Sequence, residues 1–294
     1  MDAAIAQLIA GVSLGSILLL AALGLSLTFG QMGVINNAHG EFMMAGAYTS
    51  YCVAQVIPDP TWALWISLPV GFLVGGLLGL VLEVALIQRM RLRPLDTLLA
   101  TFGVALVLQQ LAKDIFGPQP VYAQAPGWLS GPVEILGQSV PATRVFIFFL
   151  AIFAVAALYA VLRLTPLGRQ IRAAMQNRDL AEASGISTRG VDHVTFFLGS
   201  GIAGLAGVAA TLMDAISFNL GTGKIVDAFL VVVAGGVGQL KGAIIAAFGL
   251  GLLQAGIEYS TSTSLAKVLV FLAVVVFLQV RPQGLVALRT RSLA

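Results

Sequence analysis

The residues able to do chemistry in this chain are few, and they gather in two places. Gln31, Asn36, Asn37, His39 and Glu41 share one short run, Gln-Met-Gly-Val-Ile-Asn-Asn-Ala-His-Gly-Glu. Their side chains can donate and accept several hydrogen bonds. The interleaved Gly33 and Gly40 permit non-helical backbone, which at membrane depth survives only inside protein or beside an aqueous cavity. One reading is a cytoplasmic turn, with Asn37 capping the next helix and Glu41 in its first turn. The other is a segment lining a solute path, because polar side chains within a membrane are functional by default. The second cluster is Lys224, Asp227, Gly235-Gly236-Val237-Gly238, Gln239, Lys241 and Gly242. A helix broken at such glycines offers free carbonyls and amides to a passing solute. The alternative is a snorkelling Lys241 and an Asp227 at the interface. Composition does not decide between these readings.

Other chemistries find no support. His39 and His193 are the only histidines and Cys52 is the only cysteine, so no metal-ligand spacing exists. There is neither a G-x-S-x-G nucleophile elbow nor a G-x-x-x-x-G-K-[ST] phosphate loop. If ATP drives this chain, a separate polypeptide must hydrolyse it. Glu83, Asp214, Glu258 and Lys267 fall near the ends of apolar runs and read as interfacial.

The elements that must position these residues are apolar. Of 294 residues, 58% are hydrophobic and 10% charged, against about a quarter charged in soluble domains. That is too little charge for a water-facing surface or a disordered chain. One cysteine excludes a disulfide scaffold, and a net charge of +3, carried in loops, does not suit a nucleic-acid binder. The apolar runs are continuous rather than alternating, which excludes a transmembrane β-barrel. An all-α polytopic membrane protein is expected, as one transmembrane domain over 1–294.

A span needs about 20 apolar residues. Candidates are Ile5–Phe29, Glu41–Ile57, Trp62–Ile87, Thr97–Phe116, Val145–Leu162, Val194–Ser217 and Leu265–Val280, with a long stretch, Ala228–Ile257, broken by its glycines. The count is eight spans, or nine if both pieces of that stretch cross. The first span is too long for a signal-peptide core, and Asp2 precedes it where basic residues belong. Arg89, Arg91 and Arg93, then Arg163, Arg169, Arg172, Arg178 and Arg189, then Arg281, Arg289 and Arg291 hold eleven of the sixteen lysines and arginines. Basic loops stay in the cytoplasm, which places the C-terminus inside and the N-terminus outside. Trp62, Trp65 and Trp128 suit an outer aromatic belt. Small residues recur every four positions at Gly71, Gly75 and Gly79, at Gly199, Ala203 and Gly207, and at Ala243, Ala247, Gly251 and Ala255. Such stripes pack helices closely, within the chain or against a second subunit.

The longest cytoplasmic loop, about 163–193, opens on Thr165-Pro166-Leu167-Gly168. It continues as Arg169-Gln-Ile-Arg-Ala-Ala-Met-Gln-Asn-Arg-Asp-Leu-Ala-Glu-Ala-Ser-Gly185. This predicts one short amphipathic helix, with proline near its start and Gly185 closing it. Ile171, Ala174 and Met175 share one face. The helix either ties two spans together or docks a cytosolic partner.

Four blocks in order carry a resemblance over nearly the whole chain: Gly30–Tyr48, GQMGVINNAHGEFMMAGAY; Thr165–Ile186, TPLGRQIRAAMQNRDLAEASGI; Val226–Ala243, VDAFLVVVAGGVGQLKGA; and Arg281–Leu285, RPQGL. The chain resembles the permease subunits of branched-chain amino acid-type ABC importers, and within them most closely the urea permease branch. The last two blocks lean toward that branch; amino acid-type members more often read GGIGSIPGA and RPTGL there. The resemblance implies a bacterial plasma membrane importer. It would contain a second homologous permease, two cytosolic ATPases that bind ATP and magnesium, and a solute-binding protein outside. This chain would itself hold no cofactor. Urea or a similar small amide is the expected solute, with a branched-chain amino acid as the alternative; a stand-alone urea channel or secondary transporter is the reading from another class. By the same resemblance, Arg172–Gly185 couples to the ATPases, with Glu182-Ala183 and Gly185 a degenerate EAA–Gly motif. Arg172, Ala173, Ala174, Arg178, Asp179, Glu182, Ala183 and Gly185 are the residues so implicated. A path for urea would be lined by neutral groups such as Gln31, Asn36, Asn37 and Gln239 beside Gly235 and Gly236. An amino acid would favour His39-Gly40-Glu41, with a helix N-terminus for its carboxylate and an acceptor for its ammonium.

Overall fold

No proline interrupts the first apolar run, and in a computed structural model of the chain it forms a single helix, α1, Asp2–Met32. The structure describes residues 2–90, 93–135 and 137–286; Arg91, Arg289 and Arg291 of the basic segments lie outside them. After α1 come α2 (His39–Val56), α3 (Pro60–Leu82), a π-helical turn (Glu83–Ile87), α4 (Gln88–Met90) and α5 (Pro94–Phe116). A hairpin of β1 (Pro132–Ile135) and β2 (Gln138–Pro141) precedes α6 (Ala142–Leu164), α7 (Pro166–Gln176) and α8 (Arg178–Ala183). The chain ends in α9 (Thr188–Ala210), α10 (Leu220–Gly235), α11 (Leu240–Glu258) and α12 (Thr263–Val280). Side-chain caps fix several starts: Asp59 accepts from Thr61 N–H, Ser187 from Gly190 N–H and Ser262 from Leu265 N–H, each satisfying an amide that the helix leaves open.

Among the described residues, seven helical stretches are long and apolar enough to cross a membrane: Ala4–Met32, Pro60–Met90, Leu95–Phe116, Ala142–Leu164, Thr188–Ala210, Leu240–Glu258 and Thr263–Val280. The fold is that of a polytopic membrane protein, as expected. Two of the anticipated spans fall short of this standard. Glu41–Ile57 becomes α2, which carries His39 and Glu41 at its start. The broken stretch divides as its glycines suggested, into α10, only 16 residues long, and α11. The expected span Val194–Ser217 begins earlier, at Thr188, because Ser187 caps it there and Asp192 and His193 find partners within the protein. The hairpin was not anticipated in an all-helical chain. It turns at Gly137, φ +78°, and the preceding loop is tied to residue 216 by a Val121–Ile216 bridge.

α1 and α9 run antiparallel through the centre. Gln31 bonds Asp192, and one to two turns back along α1 Gly24 meets Gly199, where a Cβ on Gly24 would strike the Gly199 carbonyl. The small-residue stripes are spent on packing within the chain. Gly71, Gly75 and Gly79 rest on Val208, Gly204 and Ser200 of α9, and Gly251 rests on Gly11 and Gly15 of α1. With no hydrophobic drive between helices in lipid, this backbone approach supplies the cohesion. The pairings repeat in mirror order. α1 packs on α11 as α9 packs on α3; α2 packs on α9 as α10 packs on α1; α2 meets α5 as α10 meets α12. Exchanging α1, α2, α3 and α5 for α9, α10, α11 and α12 reproduces these pairings. Because α1 and α9 are antiparallel, the two halves are inverted repeats, with α6, α7 and α8 as the link between them.

Candidate translocation site

The Gln31–Glu41 run is not capped by Asn37. Gly33, φ +65°, turns the chain after α1, and residues 33–38 climb back along it. The N-cap is Ala38, and Asn36 Oδ1 accepts its N–H at 3.0 Å, while Asn37 N–H donates to Thr101 Oγ1 at 3.2 Å. His39 Nε2 lies 3.3 Å from the Ala21 carbonyl. Ala21 precedes the end of α1 by about 16 Å at 1.5 Å per residue, so α2 starts about midway along α1. α10 starts at the same level, since Gly221 meets Gly40. The two shorter helices thus present their N-termini to each other inside the protein.

Glu41 sits at this meeting point and is 1% exposed. Gln109 of α5 holds it: Nε2 donates to Glu41 Oε1 at 2.8 Å and to Thr222 Oγ1 of α10 at 2.8 Å. Glu41 Oε2, His39 Nδ1, Asn36 Nδ2 and Tyr48 Oη are buried with no hydrogen-bond partner among the described residues. Such groups carry a cost unless something completes them. Above Glu41 a groove of about 690 Å³ opens between α2, α3 and α5, lined by Met44, Tyr48, Cys52, Val70, Leu108 and Phe116 among others. Tyr48 stacks on Phe116 with ring centroids 4.1 Å apart.

The remaining path residues lie elsewhere. Gln31 is at the other end of the climbing segment, where its Nε2 donates to Asp192 Oδ1 at 3.0 Å. Gly235, Gly236 and Gln239 form the turn from α10 to α11. Gly236 and Gly238 have φ +99° and +73°, and Leu285 N–H and Val286 N–H donate to the carbonyls of Ala234 and Gly235. The Arg-Pro-Gln-Gly-Leu block therefore caps α10, and Gly238 packs on Gly30 of α1. Asp227 is on another face, 3.8 Å from Lys267 of α12. Lys224 pairs with Asp214 at 2.8 Å. Glu83, expected at an interface, is 1% exposed and bonded to His193. Trp65 and Trp128 stack, centroids 6.5 Å apart.

The expected single amphipathic helix is two, α7 and α8. Asn177 takes extended backbone between them and its side chain caps α8 at Leu180 N–H, so the asparagine that looked like mid-helix filler is a break. Gly185, φ +83°, closes α8 as expected. Ile171 and Ala174 pack on Val191 of α9, and Arg172 donates to the Leu162 carbonyl. Ala174 is therefore turned inward and unavailable to a partner. Ala183, Asp179 and Glu182 are exposed, and Ala173 is partly so. Leu180, which the sequence reading passed over, is 64% exposed. Arg178 makes a bidentate pair with Asp192, at 3.2 and 2.7 Å. Asp192 is thus a hub joining α8, α9 and the end of α1; its position just inside a helix start gave no hint of it.

The comparisons with known proteins agree on one family. The family model described as branched-chain amino acid transport system / permease component matches residues 7–278. Two bacterial relatives are each a high-affinity branched-chain amino acid transport system permease protein LivH. That of Salmonella typhimurium is 28% identical and that of Escherichia coli K12 29%, each match covering 95% of this chain and 94% of the relative. A probable LivH of Methanocaldococcus jannaschii is 26% identical, over 95% of this chain and 91% of the relative. No solved structure matches. A nearly all-helical chain whose polar centre is built from two helix starts meeting between inverted repeats, matched over almost its whole length, belongs to the branched-chain amino acid transport system permease family.

Proposed function

We propose that this chain is the membrane permease of an ATP-driven importer in a bacterial inner membrane, and that its solute is an aliphatic amino acid. The observation that carries the reading is the meeting of the α2 and α10 N-termini at Glu41 beneath an aliphatic groove. Helix N-termini attract a carboxylate, and Glu41 offers an acceptor to an ammonium. The relatives' names point the same way. Urea has less in its favour: it needs no charged partner, and the neutral groups expected to line its path are dispersed. Gln31 is engaged with Asp192, and Gln239 lies at the α10–α11 turn. The N-terminus is placed outside and the C-terminus in the cytoplasm by the basic residues.

The ATPases, the second permease and the external binding protein are separate chains in this reading. An exposed face on α8, with Leu180, Ala183 and Glu182, is the docking surface for an ATPase. Movement of α8 reaches α1 through Arg178, Asp192 and Gln31, and so bears on the climbing segment that starts α2. Uptake of labelled leucine and labelled urea in cells with and without the gene tests the proposal. Gene-dependent leucine uptake supports it; gene-dependent urea uptake without leucine uptake overturns the solute assignment.

A further inference from the structure

Four residues of α2 that line the groove, Glu41, Ala45, Tyr48 and Cys52, recur at helical spacing on one face. Glu41 forms the floor, and Cys52 is about 16 Å higher at 1.5 Å per residue. Almost everything else on the walls is aliphatic or aromatic. Two buried polar atoms of the lining have no hydrogen-bond partner among the described residues: Glu41 Oε2, with its residue 1% exposed, and Tyr48 Oη, with its residue 3% exposed. A purely lipid-facing or packing groove has no use for a buried carboxylate oxygen and a buried hydroxyl, both of which are costly to leave unmade. An apolar pocket with a few convergent polar groups is the form of a small-molecule site.

Building on the amino acid reading above, we propose that this groove is the membrane-embedded subsite for the solute. Glu41 Oε2 accepts from the ammonium. The carboxylate is drawn by the helix N-termini, and the Tyr48 hydroxyl is a further neutral donor to it. The branched side chain lies on Met44, Val70 and Leu108. Gln109 is a positioning residue: it occupies Glu41 Oε1, while Oε2, beside Gly221 at the start of α10, has no hydrogen-bond partner among the described residues. Ala45 sets the width, so aliphatic side chains pass and a larger residue there shuts the site. The cavity, about 690 Å³, holds more than one such side chain, which suits a site crossed in transit rather than one that locks its ligand.

The chain's own cysteine gives a direct test, because Cys52 is the sole thiol and lines the same groove. The importer is assembled with its partner chains in membrane vesicles and treated with a membrane-permeant maleimide, with and without leucine. Leucine is expected to slow Cys52 labelling several-fold. Glu41→Gln is expected to lower leucine uptake about tenfold or more, the loss of a charge-assisted bond, and to remove the protection. Ala45→Trp is expected to abolish uptake while the complex still purifies intact. If wild-type uptake of leucine is normal but leucine leaves labelling unchanged and both variants transport normally, the groove is not the subsite, and the permease reading stands. If the wild type takes up no leucine, the solute reading itself fails. If Cys52 is blocked in the assembled complex without any solute, and Ala45→Trp releases the second permease, the groove is a subunit interface and the proposal is wrong.

Discussion

Gly40 and Gly221 touch backbone to backbone, each one residue into its helix. A Cβ on Gly40 would strike the Gly221 carbonyl oxygen, and one on Gly221 would lie 2.5 Å from the Gly40 carbonyl carbon. The contact joins equivalent positions of the two inverted halves, as does the one between Gly24 and Gly199 in the central pair.

Gly40→Ala and Gly221→Ala should therefore each destabilise the protein by about 1–3 kcal/mol, the usual cost of overpacking. Gly103 of α5 has open space around it, so Gly103→Ala should be neutral or stabilising by up to about 1 kcal/mol. Thermal midpoints of the detergent-solubilised protein check this; equal midpoints for all three variants would contradict the close approach.

Gln109→Leu removes the donor that serves both Glu41 and Thr222. It strips the buried Glu41 carboxylate of the Gln109 bond and leaves Thr222 as its remaining side-chain partner, at a cost of about 1–3 kcal/mol. The expected outcome is a lower melting midpoint together with reduced uptake. A variant as stable and active as wild type would show that the bridge does not form.

Asp192→Leu strips Arg178 and Gln31 of their shared acceptor. ATP hydrolysis by the assembled importer should persist, while solute moved per ATP falls about tenfold, if strain passes from α8 to α1 by this route. Unchanged stoichiometry would place the transmission elsewhere.

Ala183→Trp and Leu180→Asp alter the exposed face of α8 and should weaken co-purification of the ATPases while the permease remains folded. Ala174→Trp acts on a buried position against Val191 and should instead damage folding of the permease itself. Size-exclusion profiles of the permease alone and pull-down of the ATPases separate the two effects.

Periplasmic alkaline phosphatase fused after Ala294 should be inactive, and fused within Gly117–Pro126 active, as the basic residues require. The reverse pattern would invert the orientation.

Much of this was legible in the sequence. The apolar runs fixed the class of fold, and Gly235-Gly236-Val237-Gly238 announced the break between α10 and α11. The cluster from Gln31 to Glu41 was visible because polar side chains are conspicuous among apolar ones. Its depth was not visible, because Ala21 and His39 are brought level by a six-residue climb that no periodicity encodes. Gln109 was one polar residue within the Thr97–Phe116 run, and Asp192 lay at the end of the loop before Val194; only the crossing of distant helices gives each its partner. The inverted repeat is marked by glycines at its crossings, Gly24 with Gly199 and Gly40 with Gly221, while other equivalent positions differ in residue type, as Glu41 and Thr222 do.

The head-to-head arrangement of α2 and α10 also bears on leakage. Each helix start carries about half a positive elementary charge, so together they hold about one, and the Glu41 carboxylate, when ionised, supplies about one of the opposite sign beside them. The crossing is then close to electroneutral. A lone sodium or chloride ion arriving there would unbalance that sum in a medium where isolated charge is costly, whereas a zwitterion brings one charge of each sign and leaves the total unchanged. A carrier built this way can admit a dipolar solute at its centre without short-circuiting the membrane potential on which the cell depends.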